Sequence, residues 1–273
     1  MSQRRAAAAV ALLLLASSCR APTPLRRLPA DDLRPQALLE AWSERAGGRH
    51  ALRGTARLAV DAEQSGRADV RLRSKQLLVL ERPALLRVEV LGFLDTTVAV
   101  LATDGERYEL FEAGERRFES GPVYDDLLWQ VARLDLTPAE AVDLILGVPF
   151  PGAALTATAA FDAGDGRIRI QLSDEAGSVR RLVDFDARQQ LRWLQVRSEG
   201  GAVAWEARFD EYAPVGGAPV AHEISVVLGD GRSRARISLR DVELNPTLAP
   251  DIFRLRDLAP DDASGTKAGS EGG

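Results

Sequence analysis

Alternation between apolar and polar residues is the feature that most limits how this chain can fold. From Leu52 onward, apolar residues recur at every second position in many short runs. In RADVRLR (67–73), for example, Val70 and Leu72 alternate with charged side chains. A period of two is that of a β-strand with one dry and one wet face. Turn signals such as Asp104-Gly105 separate several runs, so we expect an antiparallel meander.

A first helix is predicted just ahead of the strands. Pro35 suits the first turn of a helix, and Gly47-Gly48 ends the pattern. The apolar face of this helix consists of Leu38, Leu39 and Trp42.

Two further helices are predicted between two groups of strands. The first follows Asp125-Asp126, whose negative charge suits a helix N-terminus. Its apolar stripe consists of Leu127, Leu128, Val131 and Leu134. The second begins at Thr137-Pro138-Ala139-Glu140, which supplies a cap residue, a first-turn Pro and a Glu at the third position. Its stripe consists of Val142, Ile145 and Leu146, and Gly147 ends it.

These elements predict a mainly β protein, with about eleven or twelve strands in one strongly curved antiparallel sheet. One face of such a sheet must be covered, and the helical stripes are the available cover. A sheet of this size encloses either a packed core or a cavity, and the pattern leaves both open. The four tryptophans are expected in that core or lining that cavity: Trp42, Trp129, Trp193 and Trp205.

The N-terminus has the layout of a bacterial lipoprotein signal peptide. Arg4 and Arg5 precede a short apolar run, and small residues lead to Cys19. We expect residues 1–18 to be removed and Cys19 to be acylated; plain secretion is the alternative. Residues 19–34 are rich in Pro and charge and read as a tether. The folded domain is then expected over 35–257, with a disordered polar tail at 258–273.

Residue patterns for catalysis are lacking. The sequence has no Gly-x-Ser-x-Gly, no His-Glu-x-x-His and no phosphate-binding glycine loop. His50 and His222 are interpreted as structural residues. We therefore predict that the chain is not an enzyme and has no catalytic residues, metal site or cofactor. Net charge is −5 with no basic block, which argues against nucleic-acid binding.

One predicted turn is unusual because it is apolar. Gly92 and Asp95 are ordinary turn residues, but Phe93 and Leu94 stand between them. Such a turn is either covered by another element or exposed to a membrane or partner. A lipid anchor at Cys19 would hold the domain beside a bilayer, which favours the second reading.

Taken together, these features resemble the LolA/LolB family of lipoprotein carriers and receptors. The resemblance lies in Arg53-Gly54-Thr55 at the first strand, the loop 92–97, the helix end Leu146-Gly147-Val148-Pro149, and Phe209–Tyr212 with the strands that follow. It implies an unclosed, strongly curved antiparallel barrel with a helical lid over an apolar cavity. Asp143 and Asp95 depart from the pattern, since the family has Trp and Gly at these places.

The resemblance also implies a function. A monomer anchored at the periplasmic face of the cell outer membrane would take an acylated lipoprotein from a periplasmic carrier of the LolA type. It would then assist insertion of this cargo, with Phe93 and Leu94 as the membrane-insertion loop. The alternative is a non-catalytic envelope lipoprotein of the same fold that binds a periplasmic protein or another apolar ligand.

Overall fold

The computed structural model describes residues 24–63, 70–152, 154–229, 231, 233–249 and 251–255. The predicted signal peptide at 1–18, the acylation site Cys19 and the predicted tail at 258–273 lie outside the described residues. None of the described helices has the length and apolar character needed to cross a bilayer.

The described strands form one antiparallel sheet of 14 strands. In chain order they are β1 (Arg26–Arg27), β2 (Ala51–Ala62), β3 (Val70–Glu81), β4 (Leu85–Leu91), β5 (Thr97–Asp104), β6 (Arg107–Glu112), β7 (Arg117–Pro122), β8 (Thr156–Gly164), β9 (Arg167–Ser173), β10 (Val179–Phe185), β11 (Leu191–Arg197), β12 (Val203–Val215), β13 (Ala218–Leu228) and β14 (Ser233–Leu244). The spatial order is β1-β8-β9-β10-β11-β12-β13-β14-β2-β3-β4-β5-β6-β7. Because β1 and β7 remain at the two edges, the sheet is unclosed.

Three helices are described: α1 (Arg34–Gly47), α2 (Leu127–Ala132) and α3 (Pro138–Ile145). A single-turn 3₁₀ helix, Phe93–Asp95, joins β4 to β5. Asp126 stands at the N-cap of α2, as expected for a negative residue. α2 ends at Ala132, because Arg133 adopts a left-handed conformation. Val131, which was predicted in the apolar stripe, faces solvent.

The predicted fold class, a mainly β unclosed antiparallel sheet with helices, is confirmed. The strand count is higher than predicted because β1 and β8 have weak signals: β1 has two residues, and β8 begins with the small residues Thr-Ala-Thr-Ala-Ala. Arg26 and Arg27, within the segment predicted as a tether, pair with Phe161 and Asp162 of β8. The last described residues, 251–255, form a turn followed by irregular backbone.

The core lies between the concave face of the sheet and the helices. Along β2 every second residue points inward and is buried, while Arg53, Arg57 and Asp61 point outward. Trp42 of α1 meets Phe185 of β10 edge to face, with ring centroids 5.7 Å apart. The largest fully buried side chains include Trp42, Phe185, Phe209, Leu52, Leu78, Leu80, Leu86, Leu127, Leu144, Leu146, Ile170 and Leu172. These side chains are all apolar, so the centre of the concave side is apolar, while Arg181 of β10 faces the lid on the same side.

The start of α3 carries the capping box predicted from the sequence. The backbone N–H of Glu140 donates to the Thr137 hydroxyl at 3.2 Å, and the Thr137 N–H donates to the Glu140 carboxylate at 2.9 Å. The second carboxylate oxygen of Glu140 accepts from Trp205 Nε1 at 2.9 Å. The cap therefore also fixes α3 to β12.

Thr137→Ala should lower the free energy of unfolding by about 1 kcal/mol, because one N–H of the first turn of α3 loses its acceptor. Urea denaturation followed by circular dichroism measures this change. Thr156→Ala, at an exposed position in β8, is the matched control and should cost less. An equal loss in both variants would contradict the role given to the cap.

Candidate functional site

The tip of the β4–β5 hairpin, Gly92–Thr96, is the most exposed apolar surface described in this structure. Phe93 is 86% exposed and Leu94 is 80% exposed. Two hydrogen bonds within the tip hold its conformation. The Gly92 N–H donates to the Thr96 carbonyl at 2.8 Å, and the Thr96 hydroxyl donates to the Phe93 carbonyl at 2.9 Å. The sequence left two readings open, and the tip is exposed in the structure, with no element covering it among the described residues.

Leu94 has a left-handed backbone, with φ 56° and ψ 33°. This conformation costs an L-residue roughly 1–2 kcal/mol, and Gly or Asn normally occupies it. Asp95, which follows, is also left-handed, with φ 56°. A leucine that is both strained and exposed contributes little to folding, so its presence points to a role outside the fold.

Gly92 permits the close packing at the base of the tip. A Cβ atom added there would lie 2.6 Å from Cγ1 of Val98, which is closer than side-chain atoms approach each other. Val98 is itself 43% exposed. The apolar surface of the tip thus continues along the first residues of β5.

Leu94→Gly should raise the free energy of unfolding by about 0.5–1 kcal/mol, because glycine adopts the left-handed backbone without strain. Thermal and urea denaturation measure the change. Phe93→Gly is the matched control; Phe93 has no positive φ, so the same replacement there should destabilise or be neutral. A Leu94→Gly variant less stable than the wild type would contradict the strained conformation.

The three helices form a lid over the concave face of the sheet. α3 packs on β4 and α1 packs on β8. Their buried side chains share one continuous core with the sheet, and these include Leu38, Trp42, Leu127, Leu128, Ala141, Val142, Leu144 and Ile145. Any ligand that enters this interior has to displace part of the lid.

A clasp of three residues, Arg49, Arg82 and Asp143, fastens the lid at the end of the sheet opposite the tip. Arg82 follows β3 and forms an ion pair with Asp143 of α3 at 2.8 Å. It also donates to the Ala46 carbonyl at the end of α1 and, at 2.7 Å, to the Val148 carbonyl beyond α3. Its side chain is only 9% exposed. One guanidinium therefore joins α1, α3 and the sheet.

Arg49 reinforces the clasp from the start of β2. It is 4% exposed and donates to the carbonyls of Leu146, at 3.3 Å, and Pro219. Burial lowers the pKa of both the Arg49 and Arg82 guanidinium groups, and both stay charged because the ordinary pKa of arginine lies far above neutral pH. Positive charge beside carbonyls at helix C-termini is favourable. The buried positions of Arg49 and Arg82 were not predicted, because nothing in the local sequence around them distinguishes them from surface arginines.

Asp143 and Asp95, the two departures from the resemblance found in the sequence, each have a partner within the fold. Asp143 balances the charge of the buried Arg82. Asp95 forms an ion pair with Lys75 of β3 at 2.8 Å and so holds the tip beside the neighbouring strand.

The other residues singled out in the sequence have structural surroundings. His50 is exposed, and Nδ1 of His222 lies 3.1 Å from the Val220 carbonyl. Trp42 and Trp205 are buried as predicted, whereas Trp193 lies on the outer face under the Arg169 guanidinium, 4.7 Å from its ring centroid. No group of three or more His, Cys, Asp or Glu residues in the described part of the chain could hold a metal ion.

Comparison with known proteins finds similarity in structure but not in sequence. No family model matches the chain, and no curated protein matches it. Among solved structures, a LolA superfamily protein from Nitrosomonas europaea is 12% identical with a TM-score of 0.53, covering 81% of this chain and 98% of that one. A DUF1329 family protein from Desulfovibrio piger is 10% identical with a TM-score of 0.54, covering 82% and 98%. The chain therefore shares its fold with these two proteins.

Proposed function

We propose that the chain is an outer-membrane lipoprotein that binds the acyl chains of other lipoproteins under its lid and assists their insertion into the membrane. The single observation that carries this proposal is the exposed Phe93–Leu94 tip, where a strained leucine stands in a turn that Gly or Asn would stabilise better. An apolar side chain in that place lowers the free energy of the system only when it leaves water. A bilayer next to the domain provides that environment.

The apolar interior between the lid and the sheet is the proposed binding site for the acyl chains of the cargo. Its side chains come from the concave face of the sheet and from the lid, and acyl chains have the same apolar character. Burial of each methylene group contributes about 0.8 kcal/mol. An acyl chain that enters between lid and sheet breaks contacts between their side chains, and its own burial offsets that loss. The transfer needs no covalent step, which agrees with the prediction that the chain is not an enzyme.

Cys19 provides the anchor in this proposal. Acylation there would hold the domain at the periplasmic face of the outer membrane, and more than one acyl chain makes such anchoring stable. A monomer would then receive cargo from a periplasmic carrier of the LolA type. This chain is similar in fold to the LolA superfamily protein from Nitrosomonas europaea, which supports a role of the chain in lipoprotein transport.

The second candidate is a non-catalytic lipoprotein that binds a periplasmic protein or another apolar ligand. The tight packing around Trp42 and Phe185 favours it, because a solid interior leaves the surface as the binding site. The two candidates differ in what happens to acylated cargo.

A transfer assay tests the proposal. An acylated lipoprotein held by a LolA-type carrier is mixed with outer-membrane vesicles, with and without this protein, and cargo in the vesicles is measured after flotation. The proposal expects cargo in the vesicles only when the protein is present. No transfer, together with an intact mass showing that Cys19 carries acyl groups, would leave the anchored lipoprotein but reject the insertion function.

A further inference from the structure

The outer face of three neighbouring strands carries a concentration of positive charge beside the tip. This cationic patch consists of six exposed residues on β14, β2 and β3: Arg57, Arg71, Arg73, Lys75, Arg234 and Arg236. The whole chain has a net charge of −5, so this face differs in sign from the molecule as a whole.

Strand register places these residues in three cross-strand rows. Going from β14 through β2 to β3, the rows are Ser238–Arg57–Lys75, Arg236–Ala59–Arg73 and Arg234–Asp61–Arg71. Cations also follow one another at every second position along β3 and β14. Arg57 and Lys75 are like charges directly opposite each other, which destabilises a sheet, so the fold bears a cost at this row.

Half of the cationic patch is neutralised within the protein and half is not. Arg73 pairs with Asp61 at 2.9 Å, Lys75 with Asp95, and Arg236 with Glu223 at 3.1 Å. The other three arginines form no ion pair with another described residue: Arg57, Arg71 and Arg234. With six cations and three acids, the face keeps a net charge of about +3.

The patch and the tip form one continuous surface. Lys75 pairs in register with Leu91 at the end of β4, and its ammonium reaches Asp95 inside the tip. Arg57, Arg73, Lys75 and Arg236 line an open groove of about 400 Å³ on this face. An apolar tip beside a cationic patch combines the two chemistries of a bilayer surface, hydrocarbon and phosphate.

We propose that the cationic patch binds the phosphate groups of anionic phospholipids in the bilayer that the tip enters. This inference rests on the proposed function, and it names the lipid class that the docking surface prefers. Arginines near an anionic membrane surface each contribute a gain of about fivefold in affinity. The three unpaired arginines are the ones free to make these contacts without breaking an ion pair of the fold.

The test measures insertion of the tip into vesicles of defined charge. The full chain carries Cys19→Ser and Thr97→Cys, at an exposed position next to the tip, and the new thiol bears a fluorophore that brightens in hydrocarbon. Vesicles contain either phosphatidylcholine alone or phosphatidylcholine with phosphatidylglycerol. Arg57→Ser, Arg71→Ser and Arg234→Ser are combined in one variant. The control combines Arg107→Ser, Arg167→Ser and Arg188→Ser, three exposed arginines at the opposite end of the sheet with the same change in net charge.

We expect the wild type to prefer phosphatidylglycerol vesicles at low salt and the patch variant to lose about 100-fold in affinity for them, with the control variant little changed. Equal binding to both vesicles, or equal losses in both variants, would overturn the inference. If Leu94→Glu prevents insertion while the patch variant inserts like the wild type, the inference fails and the proposed function stands. If the tip enters neither vesicle, both fail. Binding of the patch to an acidic protein, with no preference between vesicles, also overturns it.

Discussion

Leu94→Glu is expected to abolish transfer of cargo into vesicles while the domain stays folded. Burying a leucine side chain contributes about 1.5–3 kcal/mol, and a carboxylate at the same place opposes entry into hydrocarbon, so the transfer rate should fall by about 100-fold or more. Because Leu94 is 80% exposed, the substitution removes almost no packing from the fold. The free energy of unfolding should change by less than about 0.5 kcal/mol.

The measurement is the flotation assay for cargo, run beside urea denaturation of the same variant. Leu33→Glu serves as the matched control, since Leu33 is 75% exposed and precedes α1, outside the tip. It should transfer cargo at the rate of the wild type. Normal transfer by Leu94→Glu would show that the tip has another role, and equal loss in both variants would show a general effect of added charge.

Arg82→Leu is expected to lower the free energy of unfolding by about 3 kcal/mol. Removing one partner of a buried ion pair leaves the other charge without compensation, which costs about 3–5 kcal/mol, and Asp143 is partly reached by water, which places this case at the lower end. The carbonyls of Ala46 and Val148 lose a donor as well. For a domain of this size the midpoint of thermal unfolding should fall by about 6–12 °C.

Differential scanning calorimetry measures this change, and Arg53→Leu provides the comparison. Arg53 also forms an ion pair, with Glu243, but both side chains are more than half exposed, so its loss should cost about 0.5 kcal/mol or less. A further consequence concerns the lid: with the clasp removed, α1 and α3 should separate from the sheet more readily, and apolar ligands should enter faster. Equal midpoints for the two variants would contradict the clasp.

Much of the fold follows from local patterns in the sequence. The period-two runs predicted the strands because one face of the sheet is wet, and Arg53, Arg57 and Asp61 of β2 do face outward. Thr137 and Glu140 predicted the start of α3 because a capping box is a local interaction. The tip was also visible in the sequence, since two large apolar residues in a turn conflict with ordinary turn chemistry.

The remaining features depend on contacts between distant segments. Arg82 and Asp143 are 61 positions apart, and their pairing arises only when α3 folds onto the sheet. The cationic patch depends on register, because Arg57 of β2 meets Ser238 of β14, a strand remote from β2 in the sequence. The strand count failed where side chains are small, as in β8, because alternation needs large apolar residues to be recognised.

Covalent capture of a fatty acid shows whether the interior under the lid accepts an acyl chain. The full chain is incubated with a long-chain fatty acid that carries a photoreactive diazirine, irradiated, and digested for peptide mapping by mass spectrometry. If an acyl chain binds under the lid, we expect one adduct per chain, on peptides that contain Trp42 or Phe185 at the interface of α1 with β10. An absence of adducts, or adducts confined to the outer face of the sheet, would contradict it and favour a solid core with a surface binding site.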